Sequence, residues 1–428
     1  MNFRKCIEYD QQVGRLMTIR GSTEPYLEAA QKIVQHEPTP ILFENVRGMQ
    51  LAANLFCNRE KFAQSLQLPY QNFLSHLHET LNKSDPIIEE SDDVYGEAEF
   101  EPAVLSQLPI LTHYRGDGGP YLTAGVWIVD DPMYGRNLSY HRFMVLDERH
   151  GAVRVVENRG MHQALKHTGG EAEVAICIGV APSILLAASF SPPETVDELE
   201  LAAYFEKIRL KKCHRVNLMV PEDCEIVLEG RFTGKMASEG PFVDITNTWD
   251  KIRQQPVLEI TRIAHRRNPI YHALMPGGAE HRLLMGMPKE LDIYREVNQY
   301  CQCLDVCITE GGCAWLHAVV QIRKQKAEDG KKALGAAFRA HRSLKHCVIV
   351  DEDIDPRNSR EVEWAIATRF QAERDLMLLI DQPSSSLDPS AIHQEGQKSR
   401  GSKMGLDATI KSNRKKRELF KRVTHETV

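Results

Sequence analysis

Two carboxylates flank a turn in the segment Glu239-Gly240-Pro241-Phe242-Val243-Asp244, which runs on into Ile245-Thr246. A Gly-Pro turn lets both acids point into one cavity. Carboxylates held close together push one pKa upward, so one acid stays protonated near neutral pH and can donate a proton. The plain alternative is a polar turn with both acids in water. A second group, Arg136-Asn137-Leu138-Ser139-Tyr140-His141-Arg142, opens a strand. Alternation predicts Asn137, Ser139 and His141 on one face and Arg142 on the other, unless a bulge intervenes. Asn and Ser side chains offer oxygens to a hard cation, or polar groups to a phosphate. Arg142 is suited to clamp a carboxylate through two parallel hydrogen bonds. The competing reading is a solvent-facing strand edge.

Four further groups follow. In Ala187-Ala188-Ser189-Phe190-Ser191 the small residues allow close backbone approach to a ligand. The acids from Glu194 to Glu198 either reach a metal or favour a helix N-terminus. Asp351-Glu352-Asp353-Ile354-Asp355, after a buried strand, reads as a Mg2+ cluster or, more simply, as a solvated acidic loop. Cys301, Cys303, Cys307 and Cys313 are dense but contain no CxxC pair, which favours buried thiols over a metal centre. The chain has no GxGxxG, Walker loop, HExxH or GxSxG, so nucleotide, zincin and hydrolase readings lose their usual support.

The elements that must position these groups fall into three stretches. Residues 1–104 alternate helices (Tyr26 to Gln35, Arg59 to Leu66) with a short strand at Ile41 to Phe43. They end in an acidic segment, residues 87–102, expected to be an exposed connection. Residues 105–284 read as many short strands: Pro120 to Val129, Arg142 to Leu146, Ala152 to Val156, Val174 to Gly179, Asn217 to Val220, Glu225 to Leu228 and Val257 to Ile263. Helices are expected at Pro182 to Ala188 and Val196 to Ile208, which together predict a β-rich, barrel-like domain. Residues 285–428 read as α/β, with buried-type strands at Val306 to Thr309, Cys347 to Val350 and Met377 to Ile380. Helices are expected at 328–341 and Glu361 to Arg369. Residues 411–422 form a basic tail. The fold class is therefore α+β to α/β, in several domains.

A length of 428 residues admits two or three cores. Net charge is −6 with both signs interspersed, which argues against a nucleic-acid or membrane partner. No apolar run reaches the roughly 20 residues of a membrane span. The ten cysteines sit mostly in apolar runs, and a cytoplasmic location is expected.

The segments ILFENVRG, NLFCNRE, DGGPYLT, NLSYHR, VAICIGVAPSILLAAS, CEIVLEG, SEGPFVD, HRRNPIYHALMPG, LKHCVIVDEDID, EWAIATR and GSKMGLDAT follow one another in the order found in UbiD-like decarboxylases. The resemblance covers almost the whole length. EGPFVDIT, RQQPV and PGGAEHRLLMGMP are most similar to the shorter archaeal-type branch, which includes a decarboxylase of anhydromevalonate phosphate that yields isopentenyl phosphate.

This resemblance implies a split-barrel flavin domain and a prenylated FMN supplied by a flavin prenyltransferase. It also implies a divalent metal, usually manganese, on the cofactor phosphate, with a potassium ion nearby. The substrate would be a small unsaturated carboxylic acid, with an aromatic or heteroaromatic acid as runner-up and a non-catalytic flavin-binding paralogue as a further alternative. The family's Arg and two acids fall on Arg142, Glu239 and Asp244, and its Asn and Glu metal ligands on Asn137 and Glu198. The third ligand, normally His, belongs in Val156 to His162. Asn158 or Arg159 takes that place, with His162 a few residues away, so Arg159 or Arg209 could hold the cofactor phosphate instead. Ser139, Tyr140, His141, Ala188, Ser189, Phe190 and Lys403 fall on cofactor-contacting positions. Arg136 or His141 could take a substrate phosphate. Relatives assemble through the C-terminal α/β domain, which implies a homodimer or larger homo-oligomer.

Overall fold

Apolar runs of four to six residues, such as VWIV and VAICI, form the centre of a sheet because both of their faces must be covered. Val126–Asp131 (β1) and Glu173–Ile178 (β5) are buried along almost their whole length. The computed structural model describes residues 1–82, 86–394 and 397–411, which form two compact units. One comprises Met1–Gln71 with Glu79–Leu284, the other Asn72–His78 with Met285–Val428. The basic tail beyond residue 411 lies outside the described residues.

The first unit is built on an antiparallel sheet that is nine-stranded among the described residues. Besides β1 and β5 it contains Gly135–Tyr140 (β2), Phe143–Val145 (β3), His150–Val153 (β4), Ile226–Glu239 (β6) and Arg253–His265 (β7). The order runs from Tyr121–Leu122 through β3, β4, β7, β6, β5 and β1 to β2, with Ala98–Glu99 paired to β7. Among the described residues the outermost strands of this path do not pair with each other, and no closed barrel is found. Trp127, Phe143, Phe232, Leu258 and Ile260 pack in one core with Ile41, Phe43 and Leu51 of a mixed four-stranded sheet. Helices Gly160–His167 (α1), Pro182–Ser189 (α2) and Glu198–Ala203 (α3) lie against the β1–β2 side, and Ala279–Asn298 (α4) follows the last strand of the unit.

Several elements differ from expectation. β6 continues eleven residues past Leu228, out to Glu239, because its polar half gains partners from β7: Ser238 faces Gln254 and Glu239 faces Arg253. Gly230 permits this pairing, since a Cβ there would lie 2.4 Å from the Glu259 carbonyl oxygen. The acidic stretch expected to be an exposed connection contains a strand, Ile88–Val94, parallel to Ile208–Lys212. Lys207 and Arg209 neutralise Glu89, and Lys212 neutralises Asp92. The helix expected from Val196 to Ile208 stops at Ala203, where the chain turns into that second strand.

The second unit has a five-stranded sheet ordered Gln302–Ile308, His317–Arg323, His346–Asp351, Arg400–Asp407 and Leu376–Pro383. Its core holds Val319, Val348, Val350 and Ala365. The last strand in that order, expected to be buried, is an edge strand that leaves Leu378 and Ile380 exposed. Asp351 and Asp353 are both paired with Arg369, so this acidic stretch is partnered by a cation of the chain itself. Cys301, Cys303, Cys307 and Cys313 are free thiols, of which only Cys303 is fully buried. Among the described residues, no group of three or more His, Cys, Asp or Glu is arranged to hold a metal ion.

Candidate active site

Arg142 occupies the two-residue gap between β2 and β3, where the strand breaks and frees its side chain from the sheet's alternation. Its Nε donates to Glu239 Oε1 at 2.8 Å and its Nη2 to Glu239 Oε2 at 3.0 Å. Nη2 also donates to Asp250 Oδ2 at 2.8 Å, and Nη1 to Asp244 Oδ2 at 2.9 Å. The guanidinium carbon lies 4.5 Å from the centre of the Phe242 ring. The Tyr121 hydroxyl donates to Glu239 Oε1 at 3.1 Å.

The three acids converge because of local pairing. Glu239 ends β6, and the chain then turns through Gly240-Pro241. Phe242–Val243 pairs with Trp249–Asp250 in a short ribbon that returns Asp250 to the same cation. Gly118 supports the turn from beneath: its N–H donates to the Pro241 carbonyl, and a Cβ there would lie 2.3 Å from the Gly240 oxygen.

Asp250 was not anticipated, and it changes the electrostatics. The acids do not repel one another across an empty cavity; a cation sits among them. Burial opposes the Arg142 charge, but Glu239, Asp244 and Asp250 outweigh it and raise the Arg142 pKa. Burial also pushes the Asp250 carboxyl upward, yet Arg142 and Arg253 prevail and hold it below the ordinary carboxylate range. The Arg253–Asp250 contact is 2.7 Å.

A guanidinium has five N–H groups. The four hydrogen bonds above leave one on Nη1, so the two parallel bonds expected for a carboxylate clamp are not free in this arrangement. The side chains of Glu239 and Asp244 are 0% and 18% exposed, which makes Asp244 the acid that a ligand or a proton can reach.

His281 is a further neighbour missed by the sequence reading. Its Nδ1 accepts the Gly277 N–H at 3.0 Å, which leaves Nε2 to carry the proton of the neutral ring. Burial lowers its pKa, opposed by Asp244 and reinforced by Arg282 and Arg142.

A second polar cluster lies where β2, α1 and α3 meet. Asn137 Nδ2 donates to Glu198 Oε1 at 2.9 Å, and the Leu138 N–H donates to Glu198 Oε2 at 2.8 Å. Asn137 Oδ1 and His162 Nδ1 are buried and have no hydrogen-bond partner. Gly160, at the start of α1, is packed so tightly that a Cβ there would lie 2.5 Å from Asn137 Oδ1. Burial pushes the Glu198 carboxyl up to about 7, against the hydrogen bonds from Leu138 and Asn137. Arg159, the N-cap of α1, is exposed and uses no side-chain atom in the cap. Arg209 lies on the surface strand and pairs with Glu89 and Glu222.

The two groups suggested for a substrate phosphate are already engaged. Arg136 donates twice to Asp197, at 2.9 and 2.6 Å. His141 Nδ1–H donates to the Arg154 carbonyl at 3.0 Å, so its Nε2 accepts from the Ser139 hydroxyl at 2.9 Å. Tyr140 donates to the Leu185 carbonyl and Ser189 to the Leu186 carbonyl, which ties the end of β2 to α2 and closes the last turn of that helix. Ala188 is buried and Phe190 caps the helix. Lys403 belongs to the second unit, where its Nζ donates to the carbonyls of Arg342 and Leu344 at 2.5 and 2.7 Å. Burial lowers its pKa to about 8.

Burial pushes His141 down to about 4, partly opposed by its bond to the Arg154 carbonyl. An unfolded histidine titrates near ~6.5. Between those values the unfolded chain holds more protons, so the stability is complete above about pH 6.5 and drains as pH falls toward 4. A His141→Gln variant is expected to melt below the parent at about pH 7.5 but to lose about 2 kcal/mol less on acidification to about pH 5. Melting curves at the two pH values check this, and equal losses in both proteins would refute it.

Three family models match the chain in order. Residues 7–81 match the 3-octaprenyl-4-hydroxybenzoate carboxy-lyase N-terminal domain, 88–279 its Rift-related domain and 282–408 its C-terminal domain. An anhydromevalonate phosphate decarboxylase from Methanothermobacter thermautotrophicus is 41% identical over 404 residues, covering 92% of this chain and 93% of the relative. A protein of the same name from Methanosarcina mazei is 39% identical over 415 residues, 96% of each chain. The UbiD-class enzyme HmfF from Pelotomaculum thermopropionicum, solved in complex with FMN, superposes with a TM-score of 0.92 at 34% identity. It covers 99% of this chain and 97% of its own. An evolved dimeric form of HmfF, solved with prFMN, gives 0.89 at 31% identity, with the same coverage. With the Arg142 cluster, the Asn137–Glu198 cluster and three matched domains in register, this chain belongs to the UbiD family of carboxy-lyases.

Proposed function

We propose that this chain catalyses the non-oxidative, prenylated-FMN-dependent decarboxylation of anhydromevalonate phosphate to isopentenyl phosphate. The observation that carries the reading is the buried Arg142 fork with its three carboxylates, in a chain whose similar relatives are named for that reaction. In this reading residues 1–104 form an N-terminal domain, 105–284 a split-barrel flavin domain and 285–428 an α/β domain.

The chain's residues fit the cofactor and its metal. Asn137, His162 and Glu198 would hold a divalent ion, manganese by family resemblance, on the flavin phosphate. The Asn137 amide oxygen and the His162 ring nitrogen are buried without partners, and Asn137 is bonded to the buried Glu198 carboxylate; an amide oxygen, a ring nitrogen and a carboxylate are a donor set that such an ion satisfies. Ser139, Tyr140, Ala188, Ser189 and Phe190 would line the cofactor, with small side chains allowing close approach. Prenylated FMN, when bound, supplies the electron sink for the breaking bond.

The protein's own part is binding and proton placement. In the reaction the bond to the carboxylate carbon breaks, the electron pair stays with the substrate carbon, CO2 leaves and a proton takes its place. The incoming carboxylate competes with Asp244 for Arg142 Nη1, which has one N–H already free. Asp244, released from that bond and partly exposed, takes up a proton from solvent and delivers it to the substrate carbon. Glu239 and Asp250 hold Nε and Nη2 throughout, so the fork does not turn.

The test uses protein co-produced with a flavin prenyltransferase. Anhydromevalonate phosphate should release CO2 and isopentenyl phosphate with kcat/KM more than about a hundredfold above that for an aryl acrylate. Equal turnover of the aryl acid would refute the substrate assignment.

A further inference from the structure

The decarboxylation reading requires something to hold the end of the substrate remote from its carboxylate. The turn before α4 is packed directly on the segment carrying Asp244: a Cβ on Gly277 would lie 3.2 Å from the Asp244 carbonyl oxygen. Tyr114, from the loop that braces the Gly240 turn, donates to the Pro276 carbonyl at 3.2 Å. His281 and Arg282 follow in the first turn of α4, with the Arg282 N–H bonded to the Gly278 carbonyl at 3.0 Å.

The Arg282 Nε is buried and has no hydrogen-bond partner. Arg253 is engaged by Asp250 and Arg154 by the Val155 carbonyl, and Arg136, on β2, is engaged by Asp197. Arg115, beside Tyr114, is exposed to solvent. The charge of Arg282 is felt by the Tyr114 phenol and by His281, and His281 in turn feels Asp244 and Arg142. Glu37 touches the same turn at Gly278 but forms no ion pair with Arg282 among the described residues.

We propose that Arg282 binds the phosphate of the substrate and so sets the preference for a phosphorylated over an unphosphorylated acid. This deepens the substrate reading above and rests on it. A guanidinium presents two parallel N–H groups to phosphate oxygens and keeps its charge at any working pH. Placed one helical turn from the residues that pack on Asp244, it fixes one end of a short acid while Arg142 fixes the other. His281, whose Nδ1 accepts the Gly277 N–H, keeps Nε2–H as a neutral donor next to Arg282 in the chain.

The experiment measures binding as well as turnover. Calorimetry of the flavin-loaded protein with anhydromevalonate phosphate and with its dephosphorylated form gives the phosphate's contribution in wild type, Arg282→Gln and Arg282→Lys. Arg282→Gln should weaken binding of the phosphorylated acid roughly 10–100-fold and raise its KM with little change in kcat, while the dephosphorylated acid is affected at least about tenfold less. Arg282→Lys should recover part of the loss. Equal weakening toward both acids, or none, overturns the proposal. Selective weakening without any CO2 release from the wild type would support Arg282 as the phosphate ligand and sink the decarboxylation reading instead.

Discussion

Glu239→Gln should reduce CO2 release by about 10²–10⁴-fold while the protein still folds and still retains flavin. The substitution preserves the shape of a side chain that is fully buried and bonded to both Arg142 and Tyr121. It removes the charge that anchors the Arg142 fork, and the amide can accept from only one of the two nitrogens that Glu239 now binds. With Nε and Nη2 no longer held together, the fork can rotate toward Asp250 and away from the substrate carboxylate. Arg142→Ala should be equally inactive but carries a second effect. It strands three carboxylates in a largely buried cluster, and breaking such pairs costs about 3–5 kcal/mol. Activity measured beside a melting curve separates the two. Loss of activity with a modest drop in melting temperature is expected for Glu239→Gln, since Asp244 and Asp250 still pair with Arg142, and a larger drop for Arg142→Ala. A loss of activity below about tenfold in both variants would remove the triad from the mechanism.

The second large effect is expected at the metal cluster. His162→Ala should take manganese from one ion per chain to a small fraction of that and should release flavin on gel filtration. Losing even an outer partner of a metal ligand costs about 10–100-fold in affinity, and a direct ligand at least as much. Gly160→Ala probes the same site without deleting any donor atom. Its new methyl group has to displace the Asn137 side chain, so metal and flavin retention should fall together. Arg159→Ala is the control, because that residue is exposed and lacks a buried partner. Flavin loss on Arg159→Ala with full retention by His162→Ala would transfer the phosphate-holding role to the arginine and discard the three-ligand site.

Where the sequence pattern was strong, the elements were legible. α2 needed only Pro182 at its first position and an apolar run, and β1 and β5 needed only their uninterrupted apolar residues. The outer half of β6 was not legible, because Lys235, Ser238 and Glu239 carry no strand signal and the segment from Met236 to Glu239 is held by pairing with Arg253 to Pro256 of β7. Arg142, Glu239 and Asp244 could be named because a Gly-Pro turn and a strand start are local features. Asp250 could not, since its approach depends on the ribbon pairing Phe242 with Asp250. His162 looked displaced from the expected ligand position along the chain. The helical turn beginning at Gly160 buries its ring nitrogen all the same, and linear spacing does not show that. Arg136 and His141 looked available for an anion because their partners, Asp197 and the Arg154 carbonyl, lie 61 and 13 residues away.

The hydrogen bonds of the Arg142 fork join residues 97, 102 and 108 positions apart in the chain. Contacts of such sequence separation must overcome a loop-closure cost before they return any favourable energy, so they form late and slow the folding of domains that depend on them. Three carboxylates cannot be dehydrated cheaply before their cation arrives, nor can the cation before them. The site is therefore a late arrival in folding. A chain whose core has already collapsed, with β1 and β5 paired, can show native-like secondary structure and still be inert until the far ends of β6 and β7 close. Recovery of activity after dilution from denaturant should then lag behind recovery of the far-ultraviolet signal.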